Sequence, residues 1–284
     1  ISLYWDFGKY ISEKVNDSNW GDKIVDKLVE FMKREYPTMR GFNKRGIYRM
    51  KQFYETYKDF PFVSPLVTQI SWTNNLLILS GTNSIEEKEF YIKMCIKNNY
   101  SKRELDRQIS SGYFHRYMLS DGKANQSLSK TMGEEDYPNT KILDTYSLEF
   151  LDLPNNYSEK DLKKAIISNM RDFILEIGND FSFVGEEYKV QVGNEDFYID
   201  LLFYNRTLSC LVAFELKIGK FKPEYISKMD FYLEALDRQE KKENENPSVG
   251  VILCASKDVQ VVEYAMSRSM SPTMVSQYTL KLID

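Results

Sequence analysis

Two apolar stretches joined by a short polar turn decide the fold: FYIDLLFY at residues 197–204 and LSCLVAFELK at residues 208–217, with NRT between them. Both are rich in β-branched and aromatic residues and have the length of strands, so together they predict a β-hairpin. The hairpin carries three charged residues of interest, Asp200, Glu215 and Lys217. Because side chains alternate across a strand, Glu215 and Lys217 share one face, roughly 7 Å apart. Burying these charges is costly unless they pair or bind a metal, which makes them candidate catalytic residues.

The two acids, with the backbone carbonyl of Leu216 beside them, form a set of hard oxygen donors. Such donors suit Mg²⁺ or Mn²⁺, and an ion of this kind polarises a phosphoryl oxygen and activates a bound water. We expect Lys217 to orient that water or to stabilise charge on the phosphate. The alternative is a structural ion pair with no catalytic role. The spacing Asp-x14-Glu-x-Lys resembles the core of the PD-(D/E)xK nucleases.

Further stretches extend the resemblance over nearly the whole chain. In the second half they are residues 181–185, 196–204, 215–225 and 247–254; in the first half they include GFNKR at 41–45, MKQFY at 50–54 and YSKREL at 100–105. These motifs are similar to those of the YhcG-like family, bacterial proteins with an N-terminal helical domain of unknown function and a C-terminal PD-(D/E)xK nuclease domain. The resemblance implies a metal-dependent nuclease that hydrolyses phosphodiester bonds in DNA.

The resemblance also implies a role for Glu176, which lies late in a predicted helix that ends at Gly178. In many PD-(D/E)xK enzymes an acid from this helix reaches the metal site. The alternative is a glutamate that faces solvent near the end of a helix.

Lys228 lies on the helix that Pro223 is predicted to open, on one face with Tyr225 and Tyr232. Relatives often carry Gln near this position. The lysine therefore either adds a phosphate contact or marks an altered site.

Composition excludes several other classes of protein. The chain has 284 residues, 42% of them hydrophobic, which is enough for packed cores in one or two domains. No stretch approaches 18 apolar residues and no signal peptide is visible, so we expect no membrane association. The single histidine, His115, excludes HNH-type nucleases and most Ser-His or Cys-His hydrolases. The three cysteines lie in apolar runs and indicate reduced thiols in a cytoplasmic protein.

Charge is unevenly distributed along the chain. Residues 1–120 hold 19 basic and 14 acidic residues, whereas residues 121–284 hold 19 and 28. A basic first half favours nucleic-acid binding, although ordinary solvated helix surfaces would give a similar balance.

Candidate DNA-binding residues lie on two predicted helices of this basic half. Asn43 is placed to cap the first, where Arg45, Arg49 and Gln52 follow at i, i+4 and i+7 and are typical of a helix-turn-helix reader of the major groove. Lys102 and Arg103 lie at the start of the second, within a capping box, and could contact phosphates. For both helices the alternative is simple exposure to solvent.

The predicted architecture is multidomain, α and α/β. A helical domain, with helix-turn-helix-like features, spans residues 1–120, a linker spans 121–140, and a PD-(D/E)xK restriction-endonuclease-like α/β sandwich spans 141–284. Strands are expected near residues 181–192, 197–204, 209–217, 249–254 and 277–282. We expect a homo-oligomer that acts on DNA, branched DNA included. The alternative function is a non-catalytic DNA-binding or oligomerisation protein with a degenerate nuclease fold.

Overall fold

The computed structural model describes residues 1–16, 21–120, 142–269 and 271–282. The chain forms two compact units, Ile1–Ser110 and Ser111–Asp284. The first unit ends ten residues before the predicted end of the helical domain at residue 120. The reason is that Arg116 forms an ion pair with Glu176, so the helix that carries Arg116 belongs to the second unit. The predicted linker lies outside the described residues. No helix in the described ranges is both long and apolar enough to cross a lipid bilayer.

The first unit is helical, as its sequence pattern predicts. Its elements are α1 (Ser2–Asn16), α2 (Gly21–Glu35), α3 (Lys44–Tyr57), a 3-10 turn (Leu66–Gln69), α4 (Trp72–Gly81), α5 (Ile85–Asn98) and α6 (Lys102–Ser110). Asn43 caps α3 as predicted, since its side chain accepts a hydrogen bond from Gly46 N at 2.8 Å. The buried face of α3 contributes Ile47 to a cluster with Ile11 and Val25.

The second unit is built on a six-stranded mixed sheet. Its elements are α7 (Tyr113–Leu119), β1 (Thr145–Ser147), a 3-10 turn (Glu149–Leu151), α8 (Glu159–Ser168), α9 (Met170–Ile177), β2 (Phe181–Val192), β3 (Glu195–Asn205), β4 (Cys210–Lys220), α10 (Glu224–Gln239), β5 (Val249–Ser256), α11 (Val259–Met266) and β6 (Thr273–Thr279). The strand order is β1-β6-β5-β4-β3-β2. β2, β3 and β4 are antiparallel, and β4, β5, β6 and β1 are parallel.

Helices cover both faces of the sheet and make the predicted three-layer sandwich. On one face α10 packs through Met229 and Leu233 onto Ala213 and its neighbours. Gly250 allows this close approach, because a Cβ there would lie 2.4 Å from the Met229 side chain. Phe214, the next residue along β4, points to the opposite face and meets Phe173 of α9 at 6.0 Å between ring centroids.

Three details differ from the predicted elements. The single helix expected up to Gly178 is divided at Asn169, whose side chain and backbone N–H both bond to the Ala165 carbonyl. Strand β1 is absent from the predicted strands, because three residues are too few to show the alternation of apolar and polar side chains that marks a strand. The last strand begins at Thr273 instead of 277, because Thr273–Gln277 pairs with β5 despite its mixed polarity.

Candidate active site

The hairpin β3–β4 brings the first two candidate acids together. Leu201 pairs with Phe214, and Asp200 and Glu215 are the residues next to this pair on the two strands. Asp200 Oδ2 accepts a hydrogen bond of 2.9 Å from Leu216 N, which fixes the aspartate against β4. The Glu215 side chain is 2% exposed and the Asp200 side chain 25% exposed. The Glu215 carboxylate is therefore buried, whereas the Asp200 carboxylate is partly exposed to solvent.

Two lysines contact the buried carboxylate. Lys217 Nζ lies 2.9 Å from Glu215 Oε1, and Lys228 Nζ on α10 lies 2.6 Å from the same oxygen. Lys217 also reaches Glu159 of α8 at 3.2 Å. Burial opposes the charge of both ammonium groups, but the hydrogen bond and Coulombic attraction to Glu215 outweigh it, so the pKa of each lysine is raised. Both lysines are cations at neutral pH.

The aromatic residues of α10 complete this side of the site. Lys217 Nζ lies 5.3 Å from the Tyr225 ring centroid, and Lys228 Nζ lies 5.3 Å from that of Tyr232. Burial raises the pKa of Tyr232, Lys228 lowers it, and the charges of Glu215 and Asp200 raise it further. The predicted face of α10 therefore overlooks both carboxylates.

One carboxylate oxygen of the site lacks a hydrogen-bond partner among the described residues. Glu215 Oε2 is buried and accepts no hydrogen bond from the part of the chain that the structure describes, which is costly for a carboxylate oxygen. An oxygen donor of this kind, next to Asp200, fits Mg²⁺ or Mn²⁺. Within the described residues, no group of three or more His, Cys, Asp or Glu side chains is arranged to hold a metal ion. The acidic donors here are thus the pair Asp200 and Glu215.

Glu176 lies elsewhere. Its carboxylate is fully buried, is ion-paired with Arg116 of α7, and accepts a hydrogen bond of 2.8 Å from Ser147 N of β1. This placement differs from the expectation that Glu176 joins the other two acids or faces solvent. The sequence places Glu176 off the apolar stripe of its helix. It does not indicate that Arg116, sixty residues earlier, forms a buried ion pair with Glu176. Its predicted role in catalysis stays a prediction.

The sequence pattern did not single out Lys163, which also belongs to the site. Lys163 of α8 lies 3.6 Å from Asp200 Oδ1 and 2.7 Å from Glu187 Oε1. Burial opposes its charge, but the hydrogen bond to Glu187 and the attraction to Asp200 outweigh it, and the pKa of Lys163 is raised. The available signal was the i, i+4 spacing of Glu159 and Lys163, which places both on one side of α8.

The candidate DNA-binding residues of the first unit lie on the predicted helices. Arg45 and Gln52 of α3 are exposed and Arg49 is half-buried, while Lys102 and Arg103 at the start of α6 are exposed. The capping box before α6 is present, since Ser101 N donates to Glu104 Oε2 at 2.8 Å and Glu104 N donates to Ser101 Oγ at 3.4 Å. The contact of these five candidate residues of α3 and α6 with DNA stays a prediction.

Comparison with known proteins gives matches in both halves of the chain. Residues 139–284 match a family model described as the YhcG PDDEXK nuclease domain, and residues 1–116 match the DUF1016 N-terminal domain. A protein of Escherichia coli (strain K12) named "Putative nuclease YhcG" is 34% identical over 207 residues, which is 72% of this chain and 55% of that protein. The chain thus spans about half the length of this relative.

A repair endonuclease from Pyrococcus abyssi gives a weaker structural match. It is 14% identical, with a TM-score of 0.31, over 44% of this chain and 48% of that one. A match at this level does not extend to site residues or activity.

Proposed function

Because the chain belongs to the YhcG family of PDDEXK nuclease-domain proteins, we propose that it is a metal-dependent nuclease that hydrolyses phosphodiester bonds in DNA. The observation that carries the proposal is the buried carboxylate of Glu215, whose Oε1 contacts Lys217 and Lys228 while its Oε2 has no hydrogen-bond partner in the described residues.

Asp200, Glu215 and the Leu216 carbonyl would hold Mg²⁺ or Mn²⁺, as predicted from the sequence. When bound, such an ion supplies a polarised phosphoryl oxygen and a water of lowered pKa. Asp200 is already oriented for this task by the Leu216 N–H. Glu215 keeps Lys217 protonated beside it, so Lys217 can donate a hydrogen bond to the attacking water or to the phosphate.

Lys228 contributes a second cation over the same carboxylate. Its side chain is 46% exposed, against 12% for Lys217, so it is the better placed of the two to meet an incoming phosphate. It acts as a compact charge and not as a bidentate ligand. This favours a phosphate contact over an altered, inactive site.

The first unit supplies DNA binding in this proposal. Its basic balance and the exposed cations of α3 and α6 support an electrostatic contact with phosphates. Arg45, Arg49 and Gln52 would contact the major groove, and Lys102 and Arg103 the backbone. A homo-oligomer in the cytoplasm completes the proposal, since two copies would present two nuclease sites to a duplex or to branched DNA.

The test compares cleavage by the full chain with cleavage by variants of single residues. Supercoiled plasmid, linear duplex, single-stranded and branched DNA, and RNA are incubated with Mg²⁺ or Mn²⁺, with a chelator as the blank. We expect cleavage of DNA that Asp200→Asn, Glu215→Gln and Lys217→Met each reduce by about 100-fold or more, because each removes part of one transition-state assembly.

The matched control is Asp196→Asn. Asp196 lies on β3 with Asp200, and its carboxylate pairs with Lys189 at 3.2 Å on the surface. The variant should cleave as the unsubstituted protein does. Calorimetric titration with Mn²⁺ gives a second readout, in which Glu215→Gln should lose metal binding. Full cleavage by Glu215→Gln, or DNA binding with no cleavage under any of these conditions, would refute the proposal.

A further inference from the structure

Three acids line up across neighbouring strands at the edge of the site. Glu186 and Tyr188 of β2 pair with Leu201 and Ile199 of β3, so Glu187 lies at the level of Asp200, and Glu215 of β4 follows Phe214, the partner of Leu201. Lysines neutralise both ends of this row. Lys217 and Lys228 contact Glu215, and Lys163 bridges Glu187 and Asp200.

Glu187 has an unusual backbone for a strand residue. Its φ is 45°, in the left-handed region that residues other than glycine rarely adopt. Such strained positions persist only where the surroundings impose them, and they concentrate at functional sites. Here the observed partner is Lys163, whose Nζ lies 2.7 Å from Glu187 Oε1. The strained residue thus holds a lysine beside the candidate active site.

The two partners differ in their exposure to solvent. The Glu187 side chain is 65% exposed, whereas that of Lys163 is 14% exposed. Only the Glu187 end of the pair is open to solvent, so an incoming phosphate can reach the Lys163 ammonium group by taking the place of the Glu187 carboxylate. Lys163 would then face that phosphate from the Asp200 side, while Lys228 faces it from the Glu215 side.

We propose that Lys163 is a substrate-positioning residue that binds a DNA phosphate at the active site, and that Glu187 holds its ammonium group in place until the DNA displaces it. The inference rests on the proposed function, because it takes DNA as the substrate of this site. It adds a residue from α8 to the phosphate contacts that the strands and α10 supply.

The experiment measures equilibrium binding of a fluorescent 30-base-pair duplex to the full chain in chelator, over a range of salt concentrations. We expect no cleavage in chelator, because the proposed reaction needs a metal ion, so binding is separated from catalysis. Lys163→Gln should weaken binding several-fold and reduce the slope of log affinity against log salt by about 1, as expected for one lost phosphate contact. Lys163→Arg, which keeps the charge, should retain the slope.

The matched control is Lys189→Gln on β2, which removes an equal charge from an exposed ion pair. It should leave the slope unchanged. Glu187→Gln should tighten binding, and the gain should vanish in the double variant with Lys163→Gln. A gain that persists in the double variant would reflect only reduced repulsion of DNA, and would overturn the role given to Glu187.

The outcomes separate the two proposals. Should Lys163→Gln lower the unfolding temperature but keep the salt slope of the unsubstituted protein, the lysine is structural and the inference fails alone. If the unsubstituted chain binds no duplex at any salt concentration, the proposed function and the inference fail together.

Discussion

The buried pair Arg116–Glu176 gives a prediction that separates a structural from a catalytic role for Glu176. The glutamate is 0% exposed and the arginine 5% exposed. Replacing Glu176 by Gln leaves the Arg116 charge buried without its counter-charge. Breaking a buried pair in this way costs about 3–5 kcal/mol, which for a domain of this size lowers the unfolding temperature by about 6–20 °C.

The assay is thermal unfolding of the full chain by calorimetry, with hydrogen exchange followed in peptides from β1 and α9. Hydrogen exchange should rise in peptides from β1 and from α9, because Ser147 N of β1 donates a hydrogen bond to Glu176, which lies on α9. Asp196→Asn is the control, since its exposed pair contributes less than about 1 kcal/mol. The double variant Arg116→Met with Glu176→Leu should recover part of the loss, because an apolar pair leaves no buried charge.

One result would refute this reasoning. Suppose Glu176→Gln unfolds within about 2 °C of the unsubstituted protein yet loses Mn²⁺ binding as Glu215→Gln does. Glu176 would then act at the metal site, as the family resemblance implies, and the pair with Arg116 would contribute little.

Two further predictions concern the first unit and the cysteines. Arg45→Ala combined with Arg49→Ala should weaken duplex binding about tenfold and reduce its salt dependence, because two cations are lost; unchanged binding in a fluorescence titration would exclude α3 as the DNA-binding helix. Burial raises the pKa of all three thiols, at Cys95, Cys210 and Cys254, to about 12, so none should react with a thiol reagent at pH 8 until urea is added. Rapid labelling of a cysteine in the native protein would contradict their placement in the core.

The hairpin and its charges could be predicted because their signals are local. Strand periodicity placed Glu215 and Lys217 together, and the contact between their side chains is present at 2.9 Å. Helical periodicity placed Lys228 and Tyr232 on one face of α10, which the short distance between them supports. In each case the relevant residues are close in sequence or belong to one regular element.

The remaining site residues depend on contacts between distant segments. Glu176 meets Arg116 across sixty residues, and nothing in the local pattern of either predicts the other. Glu187 acquires its position from a left-handed backbone within β2, which neither composition nor alternation indicates. Lys163 is recognisable as a site residue only in the folded structure, where it contacts Glu187 of β2 and Asp200 of β3. Tertiary packing, and not local preference, decides these three.

The interruption at Asn169 has a consequence for the effect of substitutions on either side of it. In one continuous helix Lys163 and Glu176 would be separated by about 220° of rotation, and their directions would be rigidly linked. With the interruption they belong to two helices: α8 places Lys163 beside Asp200, and α9 places Glu176 beside Arg116. A substitution that turns α8 about its own axis would therefore change where Lys163 points without turning Glu176 by the same angle.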